Sequence, residues 1–280
     1  MLTATVQGAL RRSVPIATLA MAASAAGVFL PSTYAAETRA WAAQASGQDM
    51  VNLFVVYPAV LVLAWRARRG SMPAYLCWIG LLGYSTYSYV LYAGYTRFSG
   101  WFPVYVAILG LSGWTLVSAV VPLRAQAVAV AFRDHGAVRR TGAWLMGFGS
   151  FYSLVELAVV ARAIAAGVAP QSAVVAGLPT DPVIVLDLAF VLPGMVAAGL
   201  LLRRGRAAAY PAATALLSFS VAMGLAVSTM LVVTGIRVPP PPVPVIAGFG
   251  LLTLGHVLVL WQLLRAVDPG VALHSVLHSG

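Results

Sequence analysis

Residues 52–85, NLFVVYPAVLVLAWRARRGSMPAYLCWIGLLGYS, read as an apolar run, an arginine-rich turn and a second apolar run. A helix that crosses a bilayer needs about 20 mostly apolar residues to cover roughly 30 Å at ~1.5 Å per residue. The stretch is therefore a transmembrane hairpin. The pattern continues on both sides of it. Apolar stretches near 14–36, 50–65, 73–95, 102–123, 142–168, 183–202, 207–235 and 244–264 predict eight transmembrane helices in an all-α bundle. The gaps are too short for a second folded unit, so residues 1–280 form a single transmembrane domain. Composition agrees: 61% of residues are hydrophobic, 9% are charged and the mean hydropathy is +0.90, well outside the range of soluble proteins.

The first stretch has a second reading. Arg11-Arg12, the alanine-rich run and the small residues at Ala35-Ala36 also fit a cleaved signal peptide, which leaves seven spans. The run is long for that purpose and no Ala-x-Ala site follows it promptly, so a retained helix is favoured.

All 17 basic residues are arginine. If the spans alternate, only Arg39, Arg97 and Arg237 fall on one side, Arg162 lies inside a span and the other thirteen share the opposite side. By the positive-inside rule both termini are cytoplasmic. Anionic lipid head groups, rather than nucleic acid, are the expected partners of the +10 net charge. The composition points to a bacterial inner membrane. Without lysine, a retinal or pyridoxal Schiff base and a P-loop are excluded. Cys77 is the single cysteine, so no intramolecular disulfide forms.

The hairpin recurs. Shifted by 135 residues, 52–85 aligns with 187–220 at 11 identical positions of 34, and Pro58, Arg68-Arg69-Gly70 and Ala74-Tyr75 meet Pro193, Arg203-Arg204-Gly205 and Ala209-Tyr210. This predicts a parallel duplication of a four-helix unit, with half-repeats 1–135 and 136–280. Two hairpins obeying the same topology rules are the simpler alternative.

Ionisable groups inside spans are costly and mark candidate pathways for a substrate or ion. Glu156, Asp187, Arg162 and His256 are the candidates, with Asn52 at the repeat position of Asp187. Arg162 and Asp187 are placed to pair between neighbouring helices, either as a staple or as a grip on a solute. Tyr152 lies on the Glu156 face. Tyr84, Ser85, Ser88, Tyr89, Tyr92, Tyr95 and Thr96 form a hydroxyl strip within ~140° of the third helix, expected to face inward. Asp49 and Asp181 read as helix caps. Arg133-Asp134-His135 with Arg139-Arg140 reads as the longest cytoplasmic loop. His274-x-x-x-His278 lacks a third metal ligand, and one intramembrane histidine excludes a bis-histidine haem, so no cofactor or metal is expected.

Gly110-Leu111-Ser112-Gly113 resembles the Gly-x-Ser-Gly of rhomboid proteases, but Val257-Leu258-Val259-Leu260 stand where glycines would follow the histidine. The stretch from Gln48-Asp49 through Pro58, Arg68-Arg69-Gly70-Ser71 and the tyrosine-rich third span to Gly110-Leu111-Ser112 resembles polytopic bacterial membrane proteins of unknown function. That resemblance implies a membrane bundle and no activity. The sequence thus favours a secondary transporter or permease-like carrier for a small solute, with proton coupling through intramembrane carboxylates. The alternative is a non-transporting scaffold or accessory subunit, and either reading is compatible with a homo-oligomer or a membrane partner protein. No set of catalytic groups is evident.

Overall fold

The computed structural model describes residue 2 and residues 4–277. His278 of the candidate metal motif lies outside the described residues; His274 sits in a single 3₁₀ turn, Leu273–Val276. The long helices are α1 (Ala4–Phe29), α2 (Arg39–Arg68), α3 (Met72–Tyr95), α4 (Phe102–Val120), α5 (His135–Ala166), α6 (Pro182–Arg203), α7 (Ala209–Arg237) and α8 (Val243–Arg265). Among the described residues the only β-type pairings are three isolated bridges.

Seven of these helices, all except α3, are long and apolar enough to cross a membrane. Their outward faces carry Trp114, Phe151, Leu154 and Leu251 exposed. The interior buries serines, threonines, Asp49 and Glu156. That distribution suits a hydrocarbon solvent. The chain is therefore a multi-pass membrane protein. Its α3 has 24 residues, ~36 Å of helix, but tyrosine and serine make it the least apolar of the set. It is also the most enclosed, with Tyr75, Trp78, Leu82 and Tyr84 fully buried.

Each half closes a ring of four. Helices α1 and α3 both pack on α2 and α4, and α5 and α7 both pack on α6 and α8. The rings meet where α7 lies against α2 and α3, and α3 reaches the start of α6. Close approaches set the crossings. A Cβ on Gly80 of α3 would stand 2.3 Å from the Ala215 carbonyl oxygen of α7. On the α5–α6 crossing a Cβ at Gly142 would lie 2.8 Å from the Gly199 carbonyl oxygen, and one at Gly199 2.6 Å from that of Gly142.

Helices α2 and α6 each contain one wide π-turn, Asn52–Val56 and Asp187–Val191, followed by Pro58 and Pro193. Each ends before a glycine with positive φ, Gly70 at 96° and Gly205 at 67°, as a left-handed stop requires.

Helix starts are partly as expected. Asp181 caps α6, its Oδ1 accepting from the Val183 and Ile184 N–H groups at 3.0 and 3.2 Å. Asp181→Ala is expected to cost about 0.5–2 kcal/mol, the usual price of an N-cap, read as a lower melting midpoint by circular dichroism in detergent; an unchanged midpoint would contradict the assignment. Asp49, in contrast, is no cap. Helix α2 begins eleven residues earlier than expected, capped by Thr38. Small residues in 39–51 allow it to lie against α7, where a Cβ on Gly47 would be 2.7 Å from the Met230 Cα. The expected loop at Arg133–Arg140 is mostly helix: Asp134 caps α5 through the Ala137 N–H at 2.9 Å, so Arg139 and Arg140 lie in its first turns. The same N–H holds the Asp134 carboxyl below the usual carboxylate range, with Arg140 adding to it.

The tail beyond α8 straps the arginine-rich end. Bridges join Ser71 to Ala272, Phe132 to Val267 and Leu123 to Leu277. Arg133 pairs with Asp268, and Leu273, Val276 and Leu277 are buried.

Candidate functional site

Polar groups gather at two places. The first lies inside α1–α4. Asp49 is buried and accepts from the Tyr34 phenol at 2.5 Å and the Tyr92 phenol at 3.0 Å. Tyr34 stands in the turn between α1 and α2, where burial, with the Asp49 charge next, raises its phenol well above the usual range and keeps it a donor. Gln48 donates to Ser88 at 2.9 Å, the Tyr84 phenol donates to Asn52 Oδ1 at 2.9 Å, and the Tyr57 and Ser85 hydroxyls meet at 3.0 Å. Tyr89 packs its ring against Tyr92 and Tyr105 at 5.4 and 6.0 Å. The hydroxyl strip of α3 does face inward. Its members Tyr84 and Tyr89, with Asn52, are packed against protein.

The second place lies inside α5–α8. A cavity of about 190 Å³ is lined by Glu156, Asp187 and His256 together with Tyr152, Tyr87 and Phe148. Four helices supply these groups, because α5, α6, α8 and α3 each turn a polar residue towards α7. Asp187 is the first residue of the α6 wide turn. Such turns bulge the backbone and recur at functional sites. Asp187 Oδ1 accepts from the Tyr87 phenol at 2.9 Å.

Glu156 and His256 are 7% and 3% exposed. His256 Nδ1 is 2.8 Å from the Leu252 carbonyl oxygen. A carbonyl only accepts, so this nitrogen carries the hydrogen, and Nε2 of the neutral ring presents a lone pair. Neither His256 Nε2 nor Glu156 Oε2 has a hydrogen-bond partner. The Phe148 ring stands edge-on to His256 at 4.6 Å, and Trp144 does so at 5.6 Å. Trp144 lies on Gly255, where a Cβ would come within 2.4 Å of its ring. The aromatic floor closes the cavity towards the arginine-rich end.

Towards the opposite end a second cavity of about 270 Å³ is lined by Trp41, Gln44, Ser172 and Asp181, and it shares Tyr87, Val183, Met223 and Val227 with the first. A short helix, Gln171–Ala176, roofs it from the α5–α6 connection.

One expectation requires correction, and two further residues stand apart from the cavity. Arg162 and Asp187 do not pair: Arg162 is exposed, its Nε donates to the Ala158 carbonyl at 3.2 Å, and it lies one turn from the end of α5, where Gly167 terminates the helix. Asp187 takes a phenol from α3 instead. Asn52 is not among the residues that line the cavity with Asp187. Asn52 bonds Tyr84, and the residue 135 positions on from Tyr84 is Phe219; phenylalanine has no hydroxyl, and Tyr87 reaches across the interface to serve Asp187. Ser112, discounted as a nucleophile from the sequence, gives its hydroxyl to the Ile108 carbonyl at 2.7 Å, while the histidine proton goes to Leu252.

Tyr87 itself was missing from the hydroxyl strip. It lies two residues past Ser85, about 200° around α3. Only because α3 is surrounded does that second face also point inward. The arrangement can exchange protons and accept hydrogen bonds, and it can hold positive charge. No family model, curated protein or solved structure matches the chain.

Proposed function

We propose that the chain is a bacterial inner-membrane carrier of eight spans that moves a small solute with proton coupling. The observation that carries this reading is the cavity joining Glu156, Asp187 and His256, with two unpartnered polar atoms inside an apolar wall. Unpartnered ligand positions at membrane depth, with a second cavity towards one end and an aromatic floor towards the other, are what alternating access needs.

A duplicated four-helix unit supports it. The wide turns, the prolines and the positive-φ glycines all recur 135 residues apart. Gly80 approaches Ala215, and the Tyr84 and Phe219 rings lie 6.3 Å apart. Each is a contact between a residue and its own repeat counterpart, as expected along a pseudo-twofold axis running between α3 and α7. Placing the arginine-rich end in the cytoplasm follows from charge. Arg69 over Trp65 and Arg265 over Trp261, at 3.7 and 3.8 Å, suit an interface lined with anionic head groups.

The rival reading is a scaffold or accessory subunit. It draws on the first half, where the equivalent interior is filled by the Asp49 network. Proteoliposome flux separates the two. Glu156→Gln is expected to lower proton-driven uptake at least about tenfold, as loss of an essential proton carrier does, while leaving the melting midpoint near wild type. Uptake that persists unchanged sinks the coupling role of Glu156. A variant altered only in stability or assembly favours the scaffold.

A further inference from the structure

We infer that the ligand of the α5–α8 cavity is a small organic ammonium ion, held by Glu156 and Asp187 in exchange for a proton. The inference rests on the carrier reading for the identity of the site and goes beyond it in the chemistry of the ligand.

Charge comes first. Two carboxyl groups line the cavity and no arginine does. The ion pairs among the described residues, Arg97–Glu37, Arg133–Asp268 and Arg140–Asp134, all lie elsewhere, and Arg162 points outward. A buried carboxylate without a cation is unfavourable by several kcal/mol. The pair is therefore complete only with a proton or with a cation from outside the chain.

Hydrogen-bonding capacity narrows the choice. Glu156 Oε2 and His256 Nε2 are buried, unpartnered acceptors, and Asp187 adds a carboxylate beside them. An alkylammonium group brings up to three N–H donors and no acceptor, which matches this set. An anion would face both carboxyl groups, and of the lining hydroxyls those of Tyr87, Ser220 and Thr253 already donate to Asp187 and to the Leu216 and Phe249 carbonyls, which leaves the Tyr152 phenol.

The walls separate an organic cation from an inorganic one. Among the described residues no three His, Cys, Asp or Glu side chains are grouped to hold a metal, and a hard divalent ion asks for six or more oxygens. The cavity offers aromatic faces instead. Phe148 and Tyr152 stack at 5.4 Å, and Phe249 meets Tyr152 at 6.1 Å; such faces attract organic cations. Met195 and Met223 also line the wall, adaptable to a small apolar body. At about 190 Å³ the space is below the ~300–1,000 Å³ of drug-sized sites, so a single ring or a short chain fits. The ammonium ion enters as the proton shared by the Glu156–Asp187 pair leaves to solvent, so the pair is ionised only while the cation is bound.

The test is calorimetric titration of the purified full chain in detergent with methylammonium, butylammonium and benzylammonium, against benzyl alcohol, benzoate and manganese chloride. Butylammonium or benzylammonium is expected to bind, releasing protons as judged from buffers of different ionisation heat. The neutral, anionic and metal probes are expected not to compete. Affinity should fall about tenfold for each unit by which pH is lowered once the proton is the favoured occupant, and Asp187→Asn and Glu156→Gln should each weaken it at least tenfold at an unchanged melting midpoint. If the substitutions prevent folding, the pH series and the benzyl alcohol comparison on the native chain decide the matter. Equal binding of benzyl alcohol or benzoate, competition by manganese, pH-independent affinity, or no binding of any amine overturns the inference. Proton-driven flux of another solute through Glu156 would then leave the carrier reading standing. Amine binding without flux in liposomes would do the reverse.

Discussion

Gly80→Leu is expected to prevent recovery of a folded chain, and Gly80→Ala to lower stability by about 3 kcal/mol, at the upper end of overpacking costs. The Cβ position lies 2.3 Å from the Ala215 carbonyl oxygen and 2.7 Å from the Ser218 Cβ. One obstacle is backbone and the other sits at the root of its side chain, so no rotamer change relieves the clash. Helices α3 and α7 must separate. Because α7 also packs on α2, separation opens the main junction between the two rings. Gly83, one turn further along, is the control: its added Cβ would find only the Phe219 ring, at 4.0 Å. Gly83→Ala should melt within about 0.5 kcal/mol of wild type, as substitutions free of steric conflict do. Recovery of folded protein reads Gly80→Leu, and thermal melting of the two alanine variants in one detergent reads the rest. A Gly80→Ala protein as stable as Gly83→Ala would mean that the two helices do not touch there.

Asp49→Ala should cost about 3–5 kcal/mol, the range for removing one partner of a buried polar network. Tyr34 loses its acceptor and Tyr92 keeps only the longer bond to the Ala45 carbonyl at 3.3 Å, and each buried hydroxyl left unpaired accounts for about 1–3 kcal/mol. Neither can turn to solvent. Asp49→Asn retains one acceptor oxygen and nearly the same shape, so about 1–2 kcal/mol is expected, one hydrogen bond's worth. The pairwise term comes from a cycle of Asp49→Asn, Tyr92→Phe and the double variant. Coupling of about 1 kcal/mol or more is expected for groups in contact. Strict additivity would remove the hydrogen bond from consideration. Gly27 fits the same picture: a Cβ there would run into the Asp49 carboxyl, which is wedged against α1.

What could be read in advance was set by physics that acts locally. Long apolar runs locate most of the helices, because hydrocarbon tolerates little else. The Asp181-Pro182 start of α6 carries its own capping chemistry. Glu156, Asp187 and His256 stand out because a titratable group in an apolar run needs a partner, and the fold does bring these three to one cavity. The start of α2 was hidden because 39–49 is polar by composition and apolar only by context: its alanines, serines and glycines serve a close crossing, which no hydropathy average registers. Asp49 looked like a cap for the same reason. The Arg162–Asp187 pair failed on rotation. Helix position gives depth along the axis, but the angle each helix presents to its neighbours is decided by packing, and that put Arg162 on the outside. Tyr87 escaped notice because it belongs to the first half yet serves a carboxylate of the second.

That last bond also makes the two halves thermodynamically answerable to each other. The Tyr87 phenol holds α3 to α6 only while Asp187 Oδ1 is free to accept it. Whatever takes that oxygen, a proton or a cation, weakens the grip of one ring on the other. By reciprocity, any movement that draws the rings apart must change the affinity of Asp187 for that occupant by the same factor. One hydrogen bond thereby ties occupancy of the cavity to the angle between the halves, without a dedicated hinge.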